Sequence, residues 1–167
     1  MNKMTIRAAI ITLSDKGSKG EREDESGKII REMITGIHFH VGPYEVLPDE
    51  KQRIIEVLSS LSDSGTIDLI ITTGGTGVSA RDVTPEATLA VIDRELPGMA
   101  EAMRAESLKK TPHAMISRAV AGIRKQTLIV NLPGSPKAVR ENLAVILPAL
   151  PHAIEKIKGD LSECGST

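Results

Sequence analysis

Three short runs of the chain are apolar at consecutive positions: Ala8-Ala9-Ile10-Ile11-Thr12-Leu13, Ile67-Asp68-Leu69-Ile70-Ile71-Thr72 and Thr127-Leu128-Ile129-Val130-Asn131-Leu132. A strand with one wet face alternates apolar and polar residues, so runs without alternation describe strands buried on both sides. A further extended segment spans Phe39 to Leu47 and stops at Pro48. Longer stretches of helical period lie between these runs. Ile29, Ile30, Met33 and Ile34 share one helix face; Ile54, Ile55, Val57, Leu58 and Leu61 share another. Asp49 reads as the N-cap of that second helix, with Gln52 completing a capping box and Ser62-Asp63-Ser64-Gly65 closing it. Thr84-Pro85 reads as an N-cap followed by proline, opening a helix through Ile92 that takes in Asp93. Pro97-Gly98 precede a helix rich in Met and Ala, and a final helical region from Lys137 is broken around Pro148 to Pro151. Strands separated by helices in this way predict an α/β fold whose mostly parallel sheet is covered on both faces. The 167 residues suit one such domain, 1–167, with a single core.

In folds of this class, ligands sit outside the carboxyl ends of the strands. Three strand ends carry small and polar residues: Ser14-Asp15, Thr73-Gly74-Gly75 and Pro133-Gly134-Ser135. They are expected to converge on one sheet edge and form the site there. The densest of these segments is Thr72 to Asp82. Gly74, Gly75 and Gly77 let the backbone turn sharply and approach a ligand, and successive N–H groups in such a turn form an anion-binding nest. Thr76 and Ser79 add hydroxyl donors, and Arg81 offers a fork suited to phosphate. Gly75-x-Gly77-x-x-Ala80 matches the dinucleotide fingerprint formally, but the helix starts only near Thr84 and Asp93 falls within it, which argues against a Rossmann cofactor. The only Gly-Lys pair, Gly27-Lys28, is followed by Ile29, so no P-loop is present. The plain alternative is a glycine turn without a ligand.

Composition narrows the chemistry. The chain has one Phe, one Tyr and no Trp, so its core must be aliphatic. Phe39, Tyr44 and four His are its only rings, which leaves little for the stacking platforms of single-stranded nucleic-acid binders. A heterocycle would be held by backbone groups, carboxylates and aliphatic walls. The formal net charge is −1 with both signs mixed along the chain, so nucleic acid and anionic membranes are poor partners. Cys164 is the lone cysteine and suits a reducing compartment. The segment Met1 to Thr5 leads straight into the first apolar run, no stretch has the length of a membrane span, and a cytoplasmic location is expected. The His residues show no metal spacing: His38 and His40 alternate along a strand, and His113 and His152 stand alone. Met99, Met103 and Met115 read as core.

The string from Thr72 to Thr88, TTGGTGVSARDVTPEAT, resembles one family closely: the molybdopterin adenylyltransferases, or MogA/MoaB-type proteins of molybdenum cofactor synthesis, whose domain also occurs in gephyrin. The resemblance continues through Leu13-Ser14-Asp15, Pro48-Asp49-Glu50, Pro97-Gly98, Ile116-Ser117-Arg118 and Leu132 to Lys137, in the family's order and over nearly the whole chain. It implies a three-layer α/β/α sandwich assembled as a trimer or hexamer. The implied reaction joins molybdopterin and ATP, with Mg²⁺, into adenylylated molybdopterin and pyrophosphate, after which a partner protein inserts molybdate. Asp49 and Asp82 match the family's functional aspartates. Thr73, Gly74, Gly75, Thr76 and Gly77, together with Pro133, Gly134 and Ser135, match its pocket-lining segments. Ser14, Asp15, Arg81 and Ser117 complete the implied binding set, with Arg118 beside Ser117.

The implied chemistry needs no His or Cys base, because the terminal phosphate of molybdopterin is already anionic. Two polyanions must be brought together, so positioning and electrostatics dominate. A carboxylate beside phosphates calls for a metal, which assigns Asp82 as a Mg²⁺ ligand and Asp49 as a second ligand or a contact to the pterin's amino edge. Simpler readings are that Asp49 is only a cap, that Asp82 pairs with Arg81, and that Ser117-Arg118, following His113 on a helical pattern, is a solvated face. The competing function is a non-catalytic member that binds molybdopterin and assembles with pathway enzymes; intact Asp49 and Asp82 favour the active enzyme.

Overall fold

The structure, a computed structural model, describes residues 5–161. Cys164 and Met1 to Met4 lie outside the described residues. Six strands form one sheet: β1 (Arg7–Leu13), β2 (His40–Leu47), β3 (Leu69–Thr73), β4 (Arg94–Glu95), β5 (Ala121–Arg124) and β6 (Thr127–Leu132). Their order is β2-β1-β3-β6-β5-β4. The first four in that order run parallel, and the β5 and β4 edge is antiparallel. The helices are α1 (Asp15–Ser18), α2 (Glu25–Gly36), α3 (Lys51–Asp63), α4 (Thr84–Val91), α5 (Pro97–Leu108), α6 (Pro136–Ile146) and α7 (Leu150–Ile157), with 3₁₀ turns at Pro112–Ile116 and Leu147–Ala149.

The consecutive apolar runs do what their lack of alternation implies. Ala8 and Ile10 of β1 face one layer with Ile30, Ile34, Met103, Leu143 and Ile154, while Ala9, Ile11 and Leu13 face the other with Ile54, Leu58, Ala87 and Val91. Residues 69 and 71 of β3 and residues 128, 130 and 132 of β6 join the first layer; Ile70 and Ile129 join the second. Helices α2, α5, α6 and α7 thus cover one face, and α3 and α4 the other. This is the expected three-layer α/β/α arrangement with a mostly parallel sheet.

The parallel register lines up the carboxyl ends. Leu13 is opposite Leu47, Thr12 opposite Thr73, and Thr73 opposite Leu132. Ser14, Asp49, Gly74 and Pro133 therefore leave the sheet at the same edge. Among the described residues, no helix is long and apolar enough to cross a membrane.

Several local expectations need correction. The capping box at Asp49 does not form: α3 is preceded by Glu50 with no side-chain cap, and Gln52 reaches Glu56 instead. Thr84 is inside α4 rather than capping it, with Val83 at the cap position. Helix α4 ends at Val91, because Ile92 turns extended (φ −73°, ψ 145°) to lead into β4. Asp93 thus lies outside any helix, where its N–H donates to the Ile123 carbonyl and its carboxylate accepts from the Lys125 N–H. His38 is in a turn at φ 66°, and the strand begins at His40. Pro112–Ile116 is a 3₁₀ turn, after which Ser117 is extended, so no α-helix carries Ser117-Arg118.

A buried polar cluster ties β3, β6 and α4 together just beneath the site edge. Asn131, fully buried on β6, accepts from the Val120 N–H and donates to the hydroxyls of Thr72 and Thr88. Removing one member strands the others without water, which costs far more than the net value of a hydrogen bond. Asn131→Ala is expected to destabilise the fold by about 3 kcal/mol. In a urea titration this would appear as a lower midpoint with an unchanged slope.

Candidate active site

Two adjoining cavities of about 480 and 450 Å³ open at the carboxyl edge of the sheet. Gly75, Asp82, Gly134 and Ser135 line both. The larger continues over Thr76, Gly77, Ser117, Pro133 and the side chains of Arg104, Ser107 and Asn142. The smaller continues over Ser14, Asp49, Thr73, Gly74 and the Arg22–Ser26 segment. Of the fourteen residues the sequence marks, twelve line this double cleft. Asp15 and Arg81 line neither cavity.

Those two neutralise each other. The Arg81 guanidinium donates from Nε and Nη2 to the Asp15 carboxylate at 3.0 and 2.7 Å. That pairing is the first cause holding the Asp15 carboxyl below its usual range, and the Asp49 N–H bond to the same carboxylate adds to it. The fork expected to meet phosphate is therefore engaged with a carboxylate at the rim.

Asp49 is positioned by the end of β2 and by a reciprocal bond: its Oδ2 accepts from the Asp15 N–H at 3.1 Å. Burial is the first cause pushing its carboxyl above the usual range, and the charges of Asp15 and Asp82 push the same way. Asp82 Oδ2 accepts from the Ser79 N–H at 2.9 Å, which closes the loop on itself.

The glycines make room for these carboxylates. Gly74 and Gly75 have φ of +96° and +66°, a left-handed conformation that side chains resist. A Cβ on Gly75 would collide with Thr84 Oγ1 and stand 3.0 Å from Asp49 Oδ1. One on Gly77 would stand 2.8 Å from Asp82 Oδ2. The two aspartates therefore flank the loop at two of its glycines.

The outer turn is held by Arg118. Its backbone N–H donates to the Thr76 carbonyl at 2.8 Å, Nε donates to the Gly77 carbonyl at 2.7 Å and Nη2 donates to the Asp82 carbonyl at 2.7 Å. The same guanidinium pairs with Glu86 on α4. Arg118 is thus a strut under the loop rather than a cleft-lining side chain or a solvated face.

Among the described residues, each aspartate keeps one carboxylate oxygen, Oδ1, without a hydrogen bond. Two hard oxygen donors beside a phosphate-sized cleft fit Mg²⁺, which takes one or two protein carboxylates and completes its shell with phosphate and water. Among the described residues no group of three His, Cys, Asp or Glu converges as metal ligands. The donor set accordingly fits a metal shared with a phosphate substrate.

Residues 9–152 match the family model described as a probable molybdopterin-binding domain. The chain belongs to that family. It is 45% identical over 161 residues to the molybdopterin adenylyltransferase of Helicobacter pylori, covering 93% of this chain and 90% of the relative. The molybdopterin adenylyltransferase of Escherichia coli is 39% identical over 175 residues, covering 95% and 89%. The solved structure of the molybdopterin biosynthesis enzyme MoaB from Thermus thermophilus superimposes with a TM-score of 0.88 at 52% identity, covering 93% of this chain and 98% of that one. The resemblance carried by Thr72 to Thr88 is borne out at the level of the family and the fold.

Two parts of this molybdopterin-binding domain were missed in the sequence. Asp24 caps α2 through the Gly27 N–H, accepts from Thr12 Oγ1 at 2.6 Å and from the Tyr44 hydroxyl, and lines the smaller cavity. Beside it, Ser26 donates to the Gly134 carbonyl at 2.7 Å. An Asp immediately before a helical period is a cap signal that was available. Arg104 gave no such signal: it lines the larger cavity from α5 by donating to the Ala119 carbonyl at 2.9 Å.

The raised carboxyl of Asp49 has a consequence for stability. Its folded state binds the proton more tightly than the unfolded chain does, so stability falls as pH rises from the ordinary aspartate value through the raised one. At neutral pH the charged form is fully penalised. Asp49→Asn removes that charge and keeps an acceptor for the Asp15 N–H. Thermal unfolding should show the variant more stable than the parent at pH 7, with the difference vanishing as the pH is lowered until Asp49 is protonated.

Proposed function

We propose that this chain is a molybdopterin adenylyltransferase, using Mg-ATP and releasing adenylylated molybdopterin and pyrophosphate. One observation carries the reading: Gly75 and Asp82 form a wall common to two adjoining cavities, so ligands filling both meet at one carboxylate. The family membership and the adenylyltransferase relatives supply the identity of those ligands.

The reaction suits a site poor in bases. A terminal phosphate oxygen of molybdopterin attacks the α-phosphorus of ATP, a P–O bond forms, and the bond to the bridging oxygen of the β-phosphate breaks. Pyrophosphate carries away that electron pair. No proton need be removed from the nucleophile, so orientation and charge neutralisation do the work. Asp82 and Asp49 would hold Mg²⁺, which supplies neutralisation of the phosphate charge. The loop from Thr73 to Gly77 and the adjoining turn from Pro133 to Ser135 would hold the phosphates, with Ser14 lining the smaller cavity and Ser117 the larger. With few aromatic groups at hand, the heterocycles rest on backbone and aliphatic surface. His113 is the one ring among the lining residues. The same reading includes a trimeric or hexameric assembly, a cytoplasmic setting and a partner protein that inserts molybdate.

Incubation with molybdopterin and Mg-ATP is expected to yield adenylylated molybdopterin and pyrophosphate. Asp82→Ala should reduce turnover by about 100-fold or more, the scale of a lost electrostatic contact in a transition state. Much of its pterin affinity should survive. Tight pterin binding by the parent without any adenylylated product would replace this reading with that of a binding protein. Unchanged turnover in Asp82→Ala would remove the metal role.

A further inference from the structure

We infer that Thr84 and Arg118 are positioning residues that turn the glycine loop's N–H groups toward the phosphates; the identity of the anion rests on the adenylyltransferase reading. Four successive carbonyls of the loop, those of Gly74, Gly75, Thr76 and Gly77, are held by these two residues. Thr84 Oγ1 donates to the Gly74 carbonyl at 2.9 Å, and the Thr84 N–H donates to the Gly75 carbonyl at 3.2 Å. The Arg118 N–H holds the Thr76 carbonyl at 2.8 Å, and Arg118 Nε holds the Gly77 carbonyl at 2.7 Å.

A trans peptide places its N–H opposite its C=O, and the described residues contain no cis bond. The N–H groups of Gly75, Thr76, Gly77 and Val78 therefore point away from Thr84 and Arg118. Thr84 is fully buried and neither residue lines the cleft, whereas Gly75, Thr76 and Gly77 do. Among the described residues, none of these four N–H groups has an acceptor. Four adjacent donors without acceptors, each opposite a held carbonyl, form an anion nest, and Thr84 and Arg118 behind it set its direction.

Thr84 is itself held. Its carbonyl accepts from Thr88 Oγ1 at 2.9 Å, and Asn131 donates to that hydroxyl at 2.9 Å. The arrangement runs from β6 through α4 to the loop, and each step is a directional bond between buried groups. Val at position 84 would preserve shape and remove the donor to Gly74, leaving that peptide free to rotate. The Arg118 side chain anchors the outer half of the loop, and Lys would keep the charge but could not reach the Gly77 and Asp82 carbonyls together.

The test uses the full chain, ¹⁵N-labelled, titrated with inorganic pyrophosphate in the presence of Mg²⁺. In the parent, the amide resonances of Gly75, Thr76, Gly77 and Val78 should shift together as the anion binds. Thr84→Val and Arg118→Lys should each weaken pyrophosphate affinity about ten-fold or more, on the scale of a lost charge-assisted contact. In Thr84→Val the shift at Gly75, whose N–H lies opposite the carbonyl released by the lost hydroxyl, should be lost while the remainder of the spectrum is kept, and Thr84→Ser should restore both affinity and shift. In the adenylylation assay Thr84→Val should lower kcat more than it raises KM for molybdopterin. Parent-like pyrophosphate binding in both variants, or shifts confined to amides outside the loop, would overturn the inference. Should Thr84→Val fail to fold, the same measurement on Arg118→Lys, with the shift read at Val78, whose N–H lies opposite the carbonyl held by the Arg118 side chain, decides the matter. Loop shifts in a chain that makes no adenylylated product would support the nest and overturn only the adenylyltransferase reading.

Discussion

The register of four parallel strands is the constraint from which the site follows. A sheet buried on both faces satisfies its backbone internally, so polar loops are confined to its two ends. The pairings Leu13 with Leu47, Thr12 with Thr73 and Thr73 with Leu132 then bring Ser14, Asp49, Gly74 and Pro133 to one edge. These residues come from sequence positions more than a hundred apart, and no local interaction could assemble them. The same pairing supplies the rigidity a phosphate site needs, because each loop is anchored at a buried strand-end residue, Leu13, Leu47, Thr73 or Leu132.

At that edge the electrostatics are arranged against the fold. Asp15, Asp49 and Asp82 are close enough that the charges of the other two push the Asp49 carboxyl upward. Among the described residues, Asp15 alone of the three has an ion pair, with Arg81, whose charge acts on Asp49 only as the last of its causes. Asp49 and Asp82 are left with backbone N–H donors and with glycines that admit them closely. A like-charged pair without a cation persists where something outside the chain compensates it. In the proposed reaction that compensation arrives with the metal and the nucleotide.

The inner strands were legible because apolar runs of about six residues bounded by polar turn residues are too short for helices. Strand β5 was not, since Ala121-Gly122-Ile123-Arg124 is short and carries a glycine whose missing Cβ admits Ile92 and the Arg94 carbonyl. The two-residue β4 is exposed and has no pattern to read. Asp49 illustrates a different limit. Its spacing to Gln52 satisfied a local rule, but the Asp15 N–H, brought in by β1 pairing with β2, captured the carboxylate first. The glycine loop was legible because its requirements are local. The struts beneath it were not, as Arg118 lies forty-one residues from Gly77 in sequence and its contact depends on the antiparallel return of β5.

The fully buried polar cluster near the site has a reason that the rest of the aliphatic core does not share. Thr72, Thr84, Thr88 and Asn131 are fully buried and gathered between β3, β6 and α4 at the site end of the sheet. An apolar filling of the same volume would be cheaper in desolvation. It would also leave the inward carbonyl of Gly74 without a donor, and the loop could regain that bond only by rotating the peptide toward solvent. Rotation would turn the Gly75 N–H away from the cleft. The polar cluster thus fixes which side of the loop is donor and which is acceptor. Its cost in stability is tied to the direction of the nest, which links the core of this fold to the chemistry at its edge.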